Sequence, residues 1–106
     1  MVTEQDIRAL AARIATEFRP QRIILFGSRA YGTPRDDSDV DLLVIMPLLV
    51  PNLAQAAEIL ARVHPRTFPI DLVVNSPEEA AWRYEGGDPL VREAFDGGRV
   101  LYEAAA

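Results

Sequence analysis

Three aspartates stand in places where aspartate is seldom found. Asp39 and Asp41 flank Val40 at the head of the apolar run Leu42 to Ile45, and Asp71 interrupts a second run, Ile70-Asp71-Leu72-Val73-Val74. Aspartate is depleted in strands, and side chains two apart on a strand share a face. Asp39 and Asp41 therefore project together, with Val40 and Leu42 on the opposite face, and Asp71 joins them if its strand lies alongside. Carboxylates gathered in this way repel one another unless cations hold them. An all-oxygen donor set suits Mg²⁺ or Mn²⁺, ions that complete their shells with water and substrate phosphates. The alternative is that each aspartate is a solvated strand-end residue. A calcium loop starting at Asp37 is excluded, because Leu42 and Leu48 stand where its turn glycine and terminal glutamate would be.

Gly27-Ser28 follows directly on an apolar stretch. Glycine there permits a ligand to approach the backbone, and serine adds a hydroxyl donor. If Ser28 opens a helical turn, the free N–H groups form an anion site; otherwise the pair is a plain strand-ending turn. No Gly-Lys-Ser/Thr follows, so this is not a P-loop. Arg29 and Arg35 flank the same loop. Either could reach phosphates or pair on the surface with Asp36 and Asp37.

The elements that must position these residues are legible in the spacing. Ile7, Leu10, Ala11, Ile14, Ala15 and Phe18 mark one helical face, begun by a Thr3/Asp6 capping box and stopped by Pro20. Arg22 to Phe26 reads as a buried strand, 27 to 37 as a loop with or without a short helix, and Asp39 to Ile45 as a second strand. Asn52 is placed to cap a helix with the stripe Leu53, Ala56, Ala57, Leu60 and Val63, closed by His64-Pro65. Ile70 to Val74 is the third strand. Ser76, Glu79 and Pro77 start a helix that Gly86-Gly87 stops, Asp88-Pro89 starts another, and Arg99 to Tyr102 is a last strand. Alternating strands and helices give an α/β or α+β class with a small sheet covered mainly on one face. Helix-linked strands favour parallel crossovers, which leaves the pairing direction open.

At 106 residues the chain is expected to form one domain, 1–106, with a frayed tail at 104–106. The net charge of −5, carried by sixteen acids against eleven bases, all of them Arg, disfavours sequence-independent DNA binding. Without cysteine there is neither a disulfide framework nor a zinc-thiolate site, which fits a reducing, cytoplasmic setting. Glu4 and Asp6 stand where a signal peptide would be basic, and the nine-residue stretch Leu42 to Val50, with Pro47 inside it, is too short to span a membrane. His64 meets the favourable end of a helix dipole and reads as structural. Tyr31, Trp82, Tyr84 and Tyr102 could stack on a base, but aromatic residues serve more often in cores and interfaces. Met46-Pro47-Leu48-Leu49-Val50-Pro51 is either a partner surface or packing beneath the following helix.

Taken together, Phe26-Gly27-Ser28-Arg29-Ala30-Tyr31-Gly32 and Ser38-Asp39-Val40-Asp41-Leu42-Leu43-Val44, with Asp71 on a later strand, resemble the nucleotidyltransferase domain of the DNA polymerase β superfamily. The resemblance is strongest over 21–75, and the short length is similar to minimal nucleotidyltransferases, which are commonly paired with HEPN toxins as antitoxins. It implies a mixed sheet, with Asp39, Asp41 and Asp71 as catalytic and metal-binding residues and Gly27, Ser28 and Arg29 on the nucleotide. It also implies Mg²⁺ or Mn²⁺, ATP as substrate, and AMP transfer to a hydroxyl, a tyrosine, of the partner toxin. Many relatives carry a basic residue where this chain has Tyr31. A non-catalytic antitoxin that neutralises by binding, and a transferase for small hydroxylated molecules, are the alternatives.

Overall fold

The computed structural model describes residues 2–32, 39–63 and 67–105. Arg35, Asp36 and Asp37 of the loop, His64 with Pro65, and the last alanine of the tail lie outside the described residues, as does the side chain of Tyr31.

Helix α1 (Glu4–Phe18) starts at the expected capping box: Asp6 N–H donates to Thr3 Oγ1 at 3.0 Å, and Thr3 N–H donates to Asp6 Oδ2 at 2.9 Å. Strand β1 (Arg22–Phe26) leads through Gly27 into the single turn α2 (Ser28–Tyr31), and β2 (Val40–Ile45) follows. Helix α3 (Asn52–Arg62), strand β3 (Ile70–Asn75), helices α4 (Pro77–Glu85) and α5 (Pro89–Gly97), and strand β4 (Arg99–Glu103) complete the described chain. Ser76 and Asp88 cap α4 and α5 with their side chains, and proline opens each helix.

The strands form one mixed sheet in the order β3-β2-β1-β4. β1 pairs antiparallel with both β2 and β4, while β2 and β3 are parallel, so α3 is the crossover between them. Both faces of this sheet are covered, where one was expected. Ile23, Leu25, Val40, Leu42, Val44 and Val74 pack with α1 and α3. On the other face, Ile24, Phe26, Leu43 and Ile45 pack with Ala80 of α4 and Ala94 of α5. The reason is in the strands themselves: Ile23 to Phe26 and Leu42 to Ile45 are uninterrupted apolar runs, so neither face could be left to water.

Helix α3 also differs from the expected stripe. Its buried positions are Gln55, Ala56 and Ile59, followed by Val63, whereas Leu53 and Ala57 are exposed. Asn52 is not the cap; Pro51 holds that position. The Asn52 amide instead donates 2.7 Å bonds to the Val74 carbonyl and to Glu79 Oε1, pinning the start of α3 to β3 and α4. That tether turns Leu53 outward. Among the described residues, no helix is long and apolar enough to cross a membrane.

Candidate active site

The mixed pairing sets the site at one end of the sheet. Asp41 is the register partner of Phe26 on β1 and of Asp71 on β3. Alternation puts Asp39, Asp41 and Asp71 on the same side as Leu43 and Val73, the side covered by α4 and α5. Asp39, just ahead of β2, and Asp71 are exposed, while Asp41 is half-buried. Val40 and Leu42, on the opposite face, are fully buried and anchor the strand that carries the pair.

Gly27 faces Asp41 from the end of β1. Its φ of 78° and ψ of −163° belong to backbone space reserved almost wholly for glycine. A Cβ built there would overlap the Asp41 carboxylate oxygen and lie 3.1 Å from its Cγ. The glycine therefore has two causes, its dihedrals and the carboxylate set against it. We expect Gly27→Ala to lose about 1–3 kcal/mol from the backbone alone and to displace Asp41. Its melting temperature should drop, and an alanine variant that melts like the wild type would refute this geometry.

Ser28 opens α2, whose turn closes through Ala30 N–H to the Gly27 carbonyl at 3.0 Å and Gly32 N–H to the Ser28 carbonyl at 2.8 Å. Ser28 and Arg29 are both half-buried beside Gly27. The structure thus brings together Gly27, Ser28, Arg29 and the three aspartates at the ends of β1, β2 and β3.

Burial, and then the charges of Asp71, Asp39 and Glu93, raise the Asp41 pKa above its ordinary 3.8. Glu93 escaped the sequence reading because nothing local marks it; its place follows from how α5 packs on β1. Among the described residues, no three His, Cys, Asp or Glu side chains stand close enough to share one ion. Hard oxygen donors, a carboxylate seated against glycine and mutual carboxylate repulsion nevertheless fit a divalent cation, whose charge would reverse the rise at Asp41.

The remaining aromatic candidates serve packing. The Tyr84 hydroxyl donates to Asp96 at 2.6 Å and its ring stacks on Phe95, while Tyr102 packs against the larger core. Trp82 is the exception, 69% exposed with the Arg83 guanidinium over its ring.

No curated protein matches this chain. Among solved structures, a candidate nucleotidyltransferase from Sulfolobus solfataricus superposes with a TM-score of 0.63 at 17% identity, over 93% of this chain and 78% of that one. A chain of the toxin–antitoxin assembly MntA-HpeT, in a variant with two aspartates replaced by glutamates, superposes with a TM-score of 0.57 at 20% identity, over 97% and 75%. At such identities the likeness is one of fold. The nucleotidyltransferase domain family matches residues 7–101, a span from the first buried residue of α1 into β4 that contains the Gly-Ser turn and all three aspartates. This chain therefore belongs to the nucleotidyltransferase domain family.

Proposed function

We propose that the chain, acting in the cytoplasm as a single nucleotidyltransferase domain, transfers AMP from ATP to a tyrosine hydroxyl of a partner HEPN toxin and so serves as its antitoxin. The observation that carries this reading is the seating of Asp41 against Gly27, in register with Asp71 and beside Ser28. The fold likeness to a toxin–antitoxin assembly supports the choice of partner.

Asp39, Asp41 and Asp71 would hold divalent ions, Mg²⁺ or Mn²⁺. When bound, such ions stabilise charge on the attacking and leaving oxygens of an in-line displacement. Ser28 donates its hydroxyl to the β- and γ-phosphates, and Arg29 adds positive charge beside them. Asp71 accepts the proton of the acceptor hydroxyl. The acceptor oxygen forms a bond to the α-phosphorus, the bond from that phosphorus to the bridging oxygen breaks, and pyrophosphate leaves with the electron pair.

The test is transfer to the protein encoded next to this one, with Mg²⁺ and ATP labelled at either the α- or the γ-phosphate. Label should reach the partner from the α position alone and vanish with Asp39→Asn. A stable complex that takes label from neither position would replace catalysis by neutralisation through binding. Label passing only to a small hydroxylated molecule would replace the acceptor.

A further inference from the structure

β3 is an edge strand, and its ladder with β2 fixes which of its groups face outward. Val40 N–H donates to the Pro69 carbonyl at 3.1 Å and Met46 N–H donates to the Asn75 carbonyl at 3.1 Å. In a parallel ladder this parity turns the main chain of odd-numbered β3 residues toward β2 and that of Ile70, Leu72 and Val74 away from the sheet. Asn52 takes the outward Val74 carbonyl. The Leu72 N–H and carbonyl remain directed to the outside.

That edge is the floor of a groove of about 320 Å³ along Leu72 to Asn75. Leu53 and Ala56 of α3 form one wall; Arg83 of α4 and Leu90 of α5 stand on the other. Leu53 is 86% exposed although it is apolar, and Leu49, just ahead of α3, is 99% exposed. At the far end Asn75 is 3% exposed, and its Oδ1 has no hydrogen-bond partner. At the near end, one residue beyond the groove, is Asp71.

We propose that this groove takes an extended, basic segment of the partner protein as an added strand on β3, so that a hydroxyl-bearing residue of that segment arrives at Asp71. This rests on the reading of the chain as a protein-directed nucleotidyltransferase and adds how the acceptor is held. An incoming strand exchanges main-chain hydrogen bonds with Leu72 and sets alternate apolar side chains against the two walls. Charge complementarity selects its sign. The polar wall contributes Glu79 and Asp88 against Arg83, and the whole chain carries −5.

A second copy of this chain is the poorer occupant. Its own β3 edge bears the same helices on both sides, so helix would meet helix before strand met strand. A groove of this volume holds a few side chains, whereas a stable interface between folded faces takes about 800 Å² from each partner.

The experiment uses the full chain and the protein encoded beside it, and reads both amide hydrogen exchange and the kinetics of α-labelled transfer. The variants are Leu53→Arg, which places like charge on an exposed wall, and Leu72→Pro, which deletes the outward N–H without touching the ladder. We expect the Leu72 amide to become protected in the complex. The KM for the partner should rise at least about tenfold in both variants, which is about 1.4 kcal/mol, with the KM for ATP unchanged. Transfer at an unaltered KM in Leu53→Arg, with the Leu72 amide unprotected, would overturn the groove and leave the transferase reading intact. Protection of Leu72 with no transfer by the unaltered protein would overturn the transferase reading and support the docking.

Discussion

Asp41→Asn should abolish nucleotidyl transfer and, in the absence of divalent ions at pH 7, raise the melting temperature. The two effects have one cause. The carboxyl of Asp41 is half-buried and faces Asp71, Asp39 and Glu93, and its pKa is raised in the folded state. A raised pKa means that folding favours the protonated form. The contribution of Asp41 to stability is therefore full below its unfolded pKa and is lost as pH rises through the folded one. At neutral pH the ionised carboxylate opposes folding, and the isosteric amide removes that opposition. The gain in melting temperature should fade as the pH is lowered below 3.8, where the wild-type side chain is itself protonated. On the proposed reading Mg²⁺ should reverse the comparison, because an ion bound only by the folded state stabilises it by mass action; the wild type would gain and the variant would not. Removing groups that merely support metal ligands costs about 10–100-fold, so loss of Asp41 itself should exceed that range. An ion-free variant that melts below the wild type at pH 7 would show that Asp41 is not held against its own charge. Transfer at wild-type rates would remove it from the reaction.

How far the site could be read from sequence depends on which residues act through local chemistry. Asp39 and Asp41 are visible because aspartate breaks an apolar strand at period two, and Gly27 because it ends a strand just ahead of a serine. Their assembly is not local. Asp71 meets Asp41 only because β2 and β3 are parallel and in register, and spacing alone left that pairing open. Glu93 approaches Asp41 only through the docking of α5. The same limit explains α3: of the expected stripe Ala56 and Val63 are buried, but Gln55 and Ile59 fit a helical period with them as well as Leu53 and Ala57 do. The choice was made by the Asn52 amide, which bonds residues far away in sequence. In the segment Met46 to Pro51 the packing reading holds for part of the stretch. Met46 is buried and Leu48 packs against the core, while Leu49 stands out in solvent.

Coverage of the sheet on both faces makes a second large effect testable by two adjacent alanines. Leu42 points to α1 and α3, Leu43 to α4 and α5, and both are fully buried. Leu→Ala in a packed core costs about 2–5 kcal/mol, the value depending on how well the surroundings collapse. The two clusters differ in that respect. Leu42 is framed by Ile14, Leu25, Val44, Ile59 and Val74, β-branched or bulky side chains held on two long helices and three strands, so its cavity should stay open. Leu43 faces Ala80 and Ala94, and its shorter helices can move inward. Leu42→Ala should therefore fall near the top of the range and Leu43→Ala nearer the bottom. Against a total of roughly 5–15 kcal/mol for a domain, both losses are large. At about 4–8 °C per kcal/mol for short domains, even Leu43→Ala should lower the melting temperature by roughly 8 °C or more. A Leu43→Ala effect within about 0.5 kcal/mol, the size of an ordinary surface change, would mean that α4 and α5 do not cover their face. The carboxylates on that same face would then stand in water, and Asp41 would lose the burial that sets it apart from Asp39 and Asp71.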